Sequence, residues 1–92
     1  MYIVVQHRFR EPRTAWASAQ QGLANLPAGL TLHHPFPTKD GSLVVCVWEA
    51  GSVAQVREFI ERALGRVSQN EYFEVENKQG VALPSSLISA TR

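Results

Sequence analysis

The sequence contains a single cysteine, Cys46, and almost no excess of charge of either sign. One cysteine permits no internal disulfide, which suits a reducing compartment. Nine basic and eight acidic residues give a net charge of +1, too little to attract nucleic acid or an anionic membrane in general. The sequence also lacks a signal-peptide pattern and any apolar run near the roughly 18 residues of a membrane span. We therefore expect a cytoplasmic protein without nucleic-acid or membrane partners.

The composition that is present is typical of a small globular domain. Hydrophobic residues make up 45% of the 92 residues and charged residues 18%, unlike the composition of a disordered chain. A chain of this length has room for one core, and its burial is marginal without oligomerisation. We expect one domain over residues 1–77. Residues 78–92 are interpreted as a tail that docks on its own domain or on a partner subunit.

The first third of the sequence predicts a strand followed by a helix. Residues 2–9 are rich in β-branched and aromatic side chains, which favours a strand. Pro12 fits the first turn of a helix, where its missing N–H would have no partner in any case. Apolar residues then recur at helical spacing, which predicts a helix over residues 12–25.

The middle of the sequence predicts a β-hairpin. The pair Asp40-Gly41 supplies the positive backbone angles of a tight turn, so residues 30–36 and 43–48 should pair as antiparallel strands. The earlier strand carries prolines that cannot donate to a ladder, which restricts it to a sheet edge. Residues 43–48 are apolar on both faces, as expected of a central strand.

The last part of the domain predicts a helix and a half-exposed strand. Ser52 and Gln55 match a capping box, in which each side chain accepts the other residue's backbone N–H. Gly65 is placed to end the helix that begins there. Charged and apolar residues then alternate over residues 71–76, which predicts a fourth strand with Tyr72 facing one side.

The order βαββαβ predicts a ferredoxin-like α+β fold, a four-stranded antiparallel sheet with two helices on one face. Right-handed crossovers place the first and third strands in its centre. Both strands carry apolar side chains on two faces, whereas the helices would cover one face. Exposed apolar surface costs about 25 cal/mol per Å², so we expect a homodimer, a dimeric α+β barrel, in which two uncovered faces pack together. The alternative is that the tail, residues 78–92, folds back over the uncovered face.

Four segments carry a resemblance to a known family: VQHR (5–8), VCVWEA (45–50), SVAQV (52–56) and NEYFEV (70–75). The chain resembles small bacterial proteins of the dimeric α+β-barrel superfamily, whose members of unknown function include a nickel-binding type. The resemblance covers most of residues 1–76 and implies that His7, Cys46 and Glu49 are polar groups of the barrel. The nickel-binding type has a further histidine in or after the second helix, whereas residues 57–66 contain none.

The leading functional interpretation is a small homodimeric protein of unassigned role that binds a small molecule in its barrel without a cofactor. The candidate ligand-binding residues are His34, Trp48 and Glu49. Trp48 is large enough to shape a pocket, although large aromatic residues in small domains are mostly core. Glu49 has a structural alternative, because a carboxylate just before a helix is stabilised by the positive end of that helix.

An enzyme is the first alternative, because the same superfamily includes cofactor-independent monooxygenases and small-ring isomerases. His7 would act as a general base, since a histidine pKa near 6.5 lies close to neutrality. Tyr72 or His34 would orient an oxygen atom of the substrate. Such a site requires a cavity of a few hundred Å³. The structural alternative for His7 is a hydrogen-bonded histidine at the end of a strand.

A transition-metal protein is the second alternative. The Cys46 thiolate and the His7 imidazole are ligands that soft transition metals prefer. A third ligand would come from His33 or His34, which as neighbours in a strand should point to opposite faces. No short ligand spacing typical of zinc sites is present, and Cys46 has the structural alternative of a small buried apolar residue.

Overall fold

The computed structural model describes residues 1–76 as one sheet and two helices. The elements in chain order are β1 (Tyr2–Phe9), α1 (Pro12–Ala24), β2 (Thr31–Pro37), β3 (Leu43–Glu49), α2 (Val53–Leu64) and β4 (Ser68–Val75). The strands lie in the order β2-β3-β1-β4, and all neighbouring pairs are antiparallel. The predicted ferredoxin-like α+β fold is confirmed. The predicted tail, residues 78–92, lies outside the described residues.

Both helices begin where the sequence predicts. Pro12 occupies the first turn of α1. In α2 the Ser52 Oγ accepts the Gln55 N–H at 3.2 Å, and the Gln55 Oε1 accepts the Ser52 N–H at 3.1 Å, which completes the capping box. Gly65 ends α2 as predicted, but with a φ of −58° it stays in the right-handed region. Neither described helix is long and apolar enough to cross a membrane.

The predicted hairpin between β2 and β3 is present, with a five-residue connection. Thr38 donates its backbone N–H to the Leu43 carbonyl at 2.8 Å and closes the loop. Asp40 Oδ1 accepts the backbone N–H of Ser42 at 3.0 Å, and Gly41 takes the positive φ of 76° that the loop requires. The side chain of Trp16 donates to the Gly41 carbonyl at 3.3 Å, which ties the loop to α1.

The fourth strand begins three residues earlier than predicted, at Ser68. Its first residues pair with β1, including Ser68 with Phe9 and Asn70 with His7. The sequence Ser-Gln-Asn has no apolar alternation, so no local pattern indicates a strand there. Backbone hydrogen bonds to β1 extend the strand over these residues, because a strand can continue wherever its neighbour offers N–H and C=O partners.

One face of the sheet packs on both helices, and this helix-covered face contains the core. Its buried members are Ile3, Val5 and Phe9 of β1, Val44, Cys46 and Trp48 of β3, Ala15 of α1, and Val56, Ile60 and Leu64 of α2. The opposite, open face carries further apolar residues of the strands, among them Val4, Leu43, Val45, Val47, Phe36, Phe73 and Val75. Neither helix of residues 1–76 covers this open face, where Phe36 is 51% and Phe73 45% exposed, whereas the central Val47 is 9% exposed.

Candidate functional site

The sequence-predicted site residues lie on two different faces of the sheet. His7, Cys46 and Trp48 are on the helix-covered face, where all three are buried. The pairing register puts His34 opposite Val47 and Glu49 opposite Tyr2, and these positions belong to the open face. The structure therefore brings the first three residues together between the sheet and the helices. His7 and Cys46 do not face a barrel formed by two open faces, as the resemblance implied, whereas Glu49 lies on the face that would line it.

His7 is buried in the helix-covered face, with 3% of its surface exposed. It occupies the position predicted by the alternation of β1, on the same face as Val5 and Phe9. Its Nδ1 atom lies 2.7 Å from the Oδ1 atom of Asn70, the residue directly opposite on β4. Burial lowers the pKa of His7, and its hydrogen bond to Asn70 and the nearby charge of Glu61 offset part of that effect. His7 is therefore neutral at pH 7.

Asn70 links His7 to a carboxylate on α2. Its Nδ2 atom donates to the Oε2 atom of Glu61 at 2.9 Å, while its Oδ1 atom faces His7. We call these two hydrogen bonds the Asn70 bridge. The Ser68 Oγ is within 2.7 Å of the same Asn70 Oδ1. Because a carboxylate can only accept, the bridge fixes which end of the Asn70 amide faces His7.

Glu61 is held ionised by the groups around it. Tyr72 donates its phenolic hydrogen to Glu61 Oε2 at 2.5 Å, and Asn70 donates to the same atom. These hydrogen bonds, together with the charge of Arg57, lower the pKa of Glu61. Arg57 also lies over the Tyr72 ring, 4.9 Å from its centroid. Glu61 is therefore a stable hydrogen-bond acceptor for Asn70.

An interior cavity of about 70 Å³ lies between the sheet and the two helices. Its wall is apolar almost throughout and is formed by His7, Phe9, Trp16, Ala19, Leu23, Leu32, Pro35, Val44, Cys46, Trp48, Phe59, Ile60, Ala63 and Leu64. Leu23 and Pro35 are exposed, so the cavity reaches the surface. For comparison, an apolar cavity of about 150 Å³ holds benzene. This cavity admits a ligand of a few heavy atoms, well below the size expected of an enzyme site.

Trp48, one of the residues that line the cavity, carries a buried polar atom without a partner in the described part of the chain. Its Nε1–H is buried and has no hydrogen-bond partner among residues 1–76. By contrast, the Nε1–H of Trp16, the other tryptophan, donates to a backbone carbonyl. An unmade hydrogen bond at a buried donor costs about 1–3 kcal/mol. Such groups are rare in folded proteins and call for an explanation.

Cys46 also lines the cavity and is 6% exposed. Burial raises the pKa of its thiol to about 12, so the thiol is neutral at pH 7 and a weak nucleophile and ligand. Among residues 1–76, no three histidine, cysteine, aspartate or glutamate side chains are grouped so that they could hold a metal ion. His7 and Cys46 thus share a cavity without the further ligand that the metal hypothesis requires.

Tyr72 lies on the helix-covered face but outside the cavity wall. Its hydroxyl is directed to Glu61, and burial together with the Glu61 hydrogen bond raises the pKa of the phenol. Tyr72 is therefore connected to His7 through Glu61 and Asn70, and it does not face a ligand beside His7. The two residues proposed from the sequence as a catalytic pair are thus separated by two intervening side chains.

The expectation that His33 and His34 point to opposite faces is wrong. The register of β2 against β3 shifts between Leu32 and His34, which is a β-bulge. His33 Nε2 lies 2.8 Å from Glu49 Oε1, and its ring is 5.9 Å from that of Tyr2, so it is on the open face. His34, opposite Val47, is on the same face. An extra residue in one strand breaks the strict alternation of side chains.

Sequence reasoning missed Asn70 and Glu61. Ser68, Asn70 and Tyr72 alternate with period two, and this pattern would have placed Asn70 beside His7 had the strand been predicted to begin at Ser68. Glu61 gives no local signal, because an acidic residue on a helix is ordinarily part of a solvated surface. Its role depends on the packing of α2 beside β4.

No family model and no curated protein matches the chain. The resemblance to dimeric α+β-barrel proteins therefore stays a prediction, since a ferredoxin-like fold gives no family identity by itself. Hypotheses about function depend on the geometry of the interior cavity and of the open face.

Proposed function

We propose that the protein is a cytoplasmic homodimer that binds a small uncharged molecule in the interior cavity of each subunit. The observation that carries the proposal is the cavity itself, whose wall is apolar almost throughout and which reaches the surface beside Leu23 and Pro35. The side chains around an empty apolar cavity lack contacts on one side, and a small ligand that fills the cavity would restore those contacts.

The cavity wall limits the charge and size of the ligand. Its lining side chains are apolar apart from His7, Cys46 and the two indole N–H groups, and none of them carries a charge at pH 7. Burying an unpaired charge there would cost far more than such a small ligand can return. The volume of about 70 Å³ restricts the ligand to a few heavy atoms.

The experiment uses small neutral compounds and the indole N–H of Trp48 as the reporter. We expect 2-propanol or acetone to shift the Trp48 Nε1–H resonance saturably in ¹H–¹⁵N NMR spectra. The variant Ala19→Leu fills the cavity and should abolish the shift. Its matched control is Ala17→Leu, the same change on the exposed side of α1, which should leave it intact. If neither 2-propanol nor acetone gives a saturable shift, the proposal is overturned.

The open face supports the homodimer. Phe36 and Phe73 are about half exposed on either side of it, and the partly exposed Val45 and Val4 lie beside them on the neighbouring strands. A contiguous apolar surface of this kind favours association. Packing two copies of the same face together buries the patch in a symmetric interface. The single, buried cysteine also suits the reducing cytoplasm.

Light scattering of the intact chain tests the dimer. We expect twice the mass of one chain at micromolar concentration. The variant Phe73→Asp replaces a half-exposed apolar side chain of the open face by a charge and should give the mass of a single chain. Ala17→Asp, on the exposed side of α1, is the matched control and should remain dimeric. An intact chain that is monomeric at this concentration would contradict the dimer.

A further inference from the structure

The position of His7 in the sheet determines which part of its ring faces the interior cavity. β1 lies between β3 and β4. Asn70 is on β4, so Nδ1 is directed to that side, whereas the rest of the cavity wall is built from Phe9 of β1, from β3 and β2, and from the helices. In an imidazole ring the bond between Nε2 and Cδ2 lies opposite Nδ1. The Nε2 edge of His7 is therefore the edge turned to the cavity.

The Asn70 bridge determines which nitrogen carries the proton. Asn70 Nδ2 is committed to the Glu61 carboxylate at 2.9 Å, so the oxygen of the amide faces His7 Nδ1 at 2.7 Å. An amide oxygen can only accept, and Nδ1 must donate. A neutral imidazole has one N–H, so Nε2 is left with a lone pair. Free histidine in water favours the opposite tautomer, with the proton on Nε2.

We propose that Glu61, acting through Asn70, holds neutral His7 in the Nδ1–H tautomer, so that the interior cavity selects small ligands that donate a hydrogen bond to His7. The ligand class is an uncharged molecule with an O–H or N–H group. Glu61 is a positioning residue, because it touches Asn70 and not the cavity. The ligand part of this inference rests on the proposed function, whereas the tautomer part stands independently.

The cavity then presents one acceptor to a ligand, the Nε2 atom of His7. A hydroxyl group can donate to this atom, whereas a carbonyl group can only accept and cannot pair with it. This difference separates an alcohol from a ketone of the same shape.

The first experiment reads the tautomer directly from two-bond ¹H–¹⁵N correlation spectra of the His7 ring at pH 8. We expect a protonated Nδ1 and an unprotonated Nε2 in the intact chain. Glu61→Ala removes the acceptor of the bridge, frees the Asn70 amide to rotate, and should shift the population toward Nε2–H. Glu61→Gln keeps an oxygen that can accept from Asn70 and should restore the Nδ1–H form.

Glu58→Ala is the control for loss of an acidic residue on the same helix. Glu58 is exposed and pairs with Arg62 at 2.8 Å, away from the bridge. The Glu58→Ala variant should therefore leave the His7 tautomer unchanged. Glu61 is also exposed, so none of these variants removes a core side chain. An Nε2–H tautomer in the intact chain, or an unchanged tautomer in Glu61→Ala, would overturn the inference.

The second experiment compares 2-propanol with acetone, which have the same number of heavy atoms and nearly the same shape. One hydrogen bond to His7 should make 2-propanol bind about fivefold tighter than acetone, measured from the shifts of the His7 and Trp48 resonances. Glu61→Ala should reduce this preference, and Glu61→Gln should keep it. Equal or tighter binding of acetone would contradict the ligand class. Absence of binding by both compounds would instead count against the proposed function and leave the tautomer result standing.

Discussion

At the scale of single residues, His7 illustrates how a buried polar group can be fixed by one neighbour. Asn70 accepts from Nδ1 and is itself held by Glu61, so orientation and protonation of the ring follow from a residue on another element. Only 3% of the surface of His7 is exposed, and its surroundings are apolar. Burial therefore disfavours the charged form of the ring. The lowered pKa of His7 and the raised pKa of Cys46 each predict a property of the protein in solution.

Acidification should destabilise the fold through His7. Its pKa is lowered in the folded state, so the unfolded chain binds the proton first as pH falls below about 6.5. The free energy of unfolding should therefore be lower at pH 5.5 than at pH 7.5 in urea titrations. Glu61 and Asp40 also have lowered pKa values, but their loss of stability belongs to a lower pH range.

The variant His7→Gln isolates this contribution, because glutamine stays uncharged across the range and can still donate to Asn70. We expect the difference in unfolding free energy between pH 5.5 and pH 7.5 to be smaller in the variant than in the intact chain. An equal difference in both would show that the acid sensitivity comes from other groups.

Cys46 should be nearly unreactive in the folded protein. Burial raises its pKa to about 12, whereas an unfolded cysteine has a pKa near 8.5, so at pH 8 the thiolate fraction falls on the order of a thousandfold. Labelling by a disulfide reagent at pH 8 should be slower by about that factor than labelling in concentrated urea. Rapid labelling of the folded chain would show an accessible thiolate and would support the metal hypothesis.

At the scale of elements, α2 has a role beyond covering the sheet. Its apolar side enters the core through Val56, Ile60 and Leu64. Glu61, next to Ile60, reaches β4 and holds Asn70. The start of this helix therefore influences both the core and the orientation of His7, because a shift of α2 along its axis would move Glu61 away from the bridge.

Loss of the capping box should destabilise the protein by about 1 kcal/mol. Ser52→Ala removes the oxygen that accepts the Gln55 N–H. For a domain of this size we expect a melting temperature lower by roughly 4–8 °C, measured by circular dichroism. Ser18→Ala is the control, since alanine is the better helix former within α1. If the variant has the same melting temperature as the intact chain, water replaces the cap without loss of stability.

At the scale of the whole molecule, the sheet divides the protein into an interior with the cavity and an open face. Strands β1 and β3 contribute apolar residues to both sides, for example Val5 inside and Val4 outside. The bulge in β2 adds His33 and His34 to the outer surface. The ligand-binding and dimerisation proposals therefore concern opposite sides of the sheet and can be tested by separate variants.

A homodimer makes thermal stability depend on concentration. Association stabilises the folded chain by mass action, so the melting temperature should rise as the protein concentration increases from 1 to 100 μM. Calorimetry or circular dichroism over this range measures the effect. In Phe73→Asp the melting temperature should not vary with concentration. A constant melting temperature in the intact chain would argue that the open face stays solvated.

The sequence by itself determined the elements and their order, because their signals are local. Asp40-Gly41 specifies a loop, Ser52 and Gln55 specify a helix start, and prolines restrict β2 to an edge. Alternation in β1 also placed His7 on the face of Val5 and Phe9. These features depend on residues a few positions apart, and neighbours in sequence are enough to define them.

Only the tertiary structure decided what surrounds the candidate residues. Asn70 is 63 positions from His7 and meets it through the β1–β4 ladder, and the early start of β4 depends on that same ladder. The bulge that moves His33 to the open face arises from pairing between strands. Contacts between residues distant in sequence depend on register and packing, which no local pattern encodes.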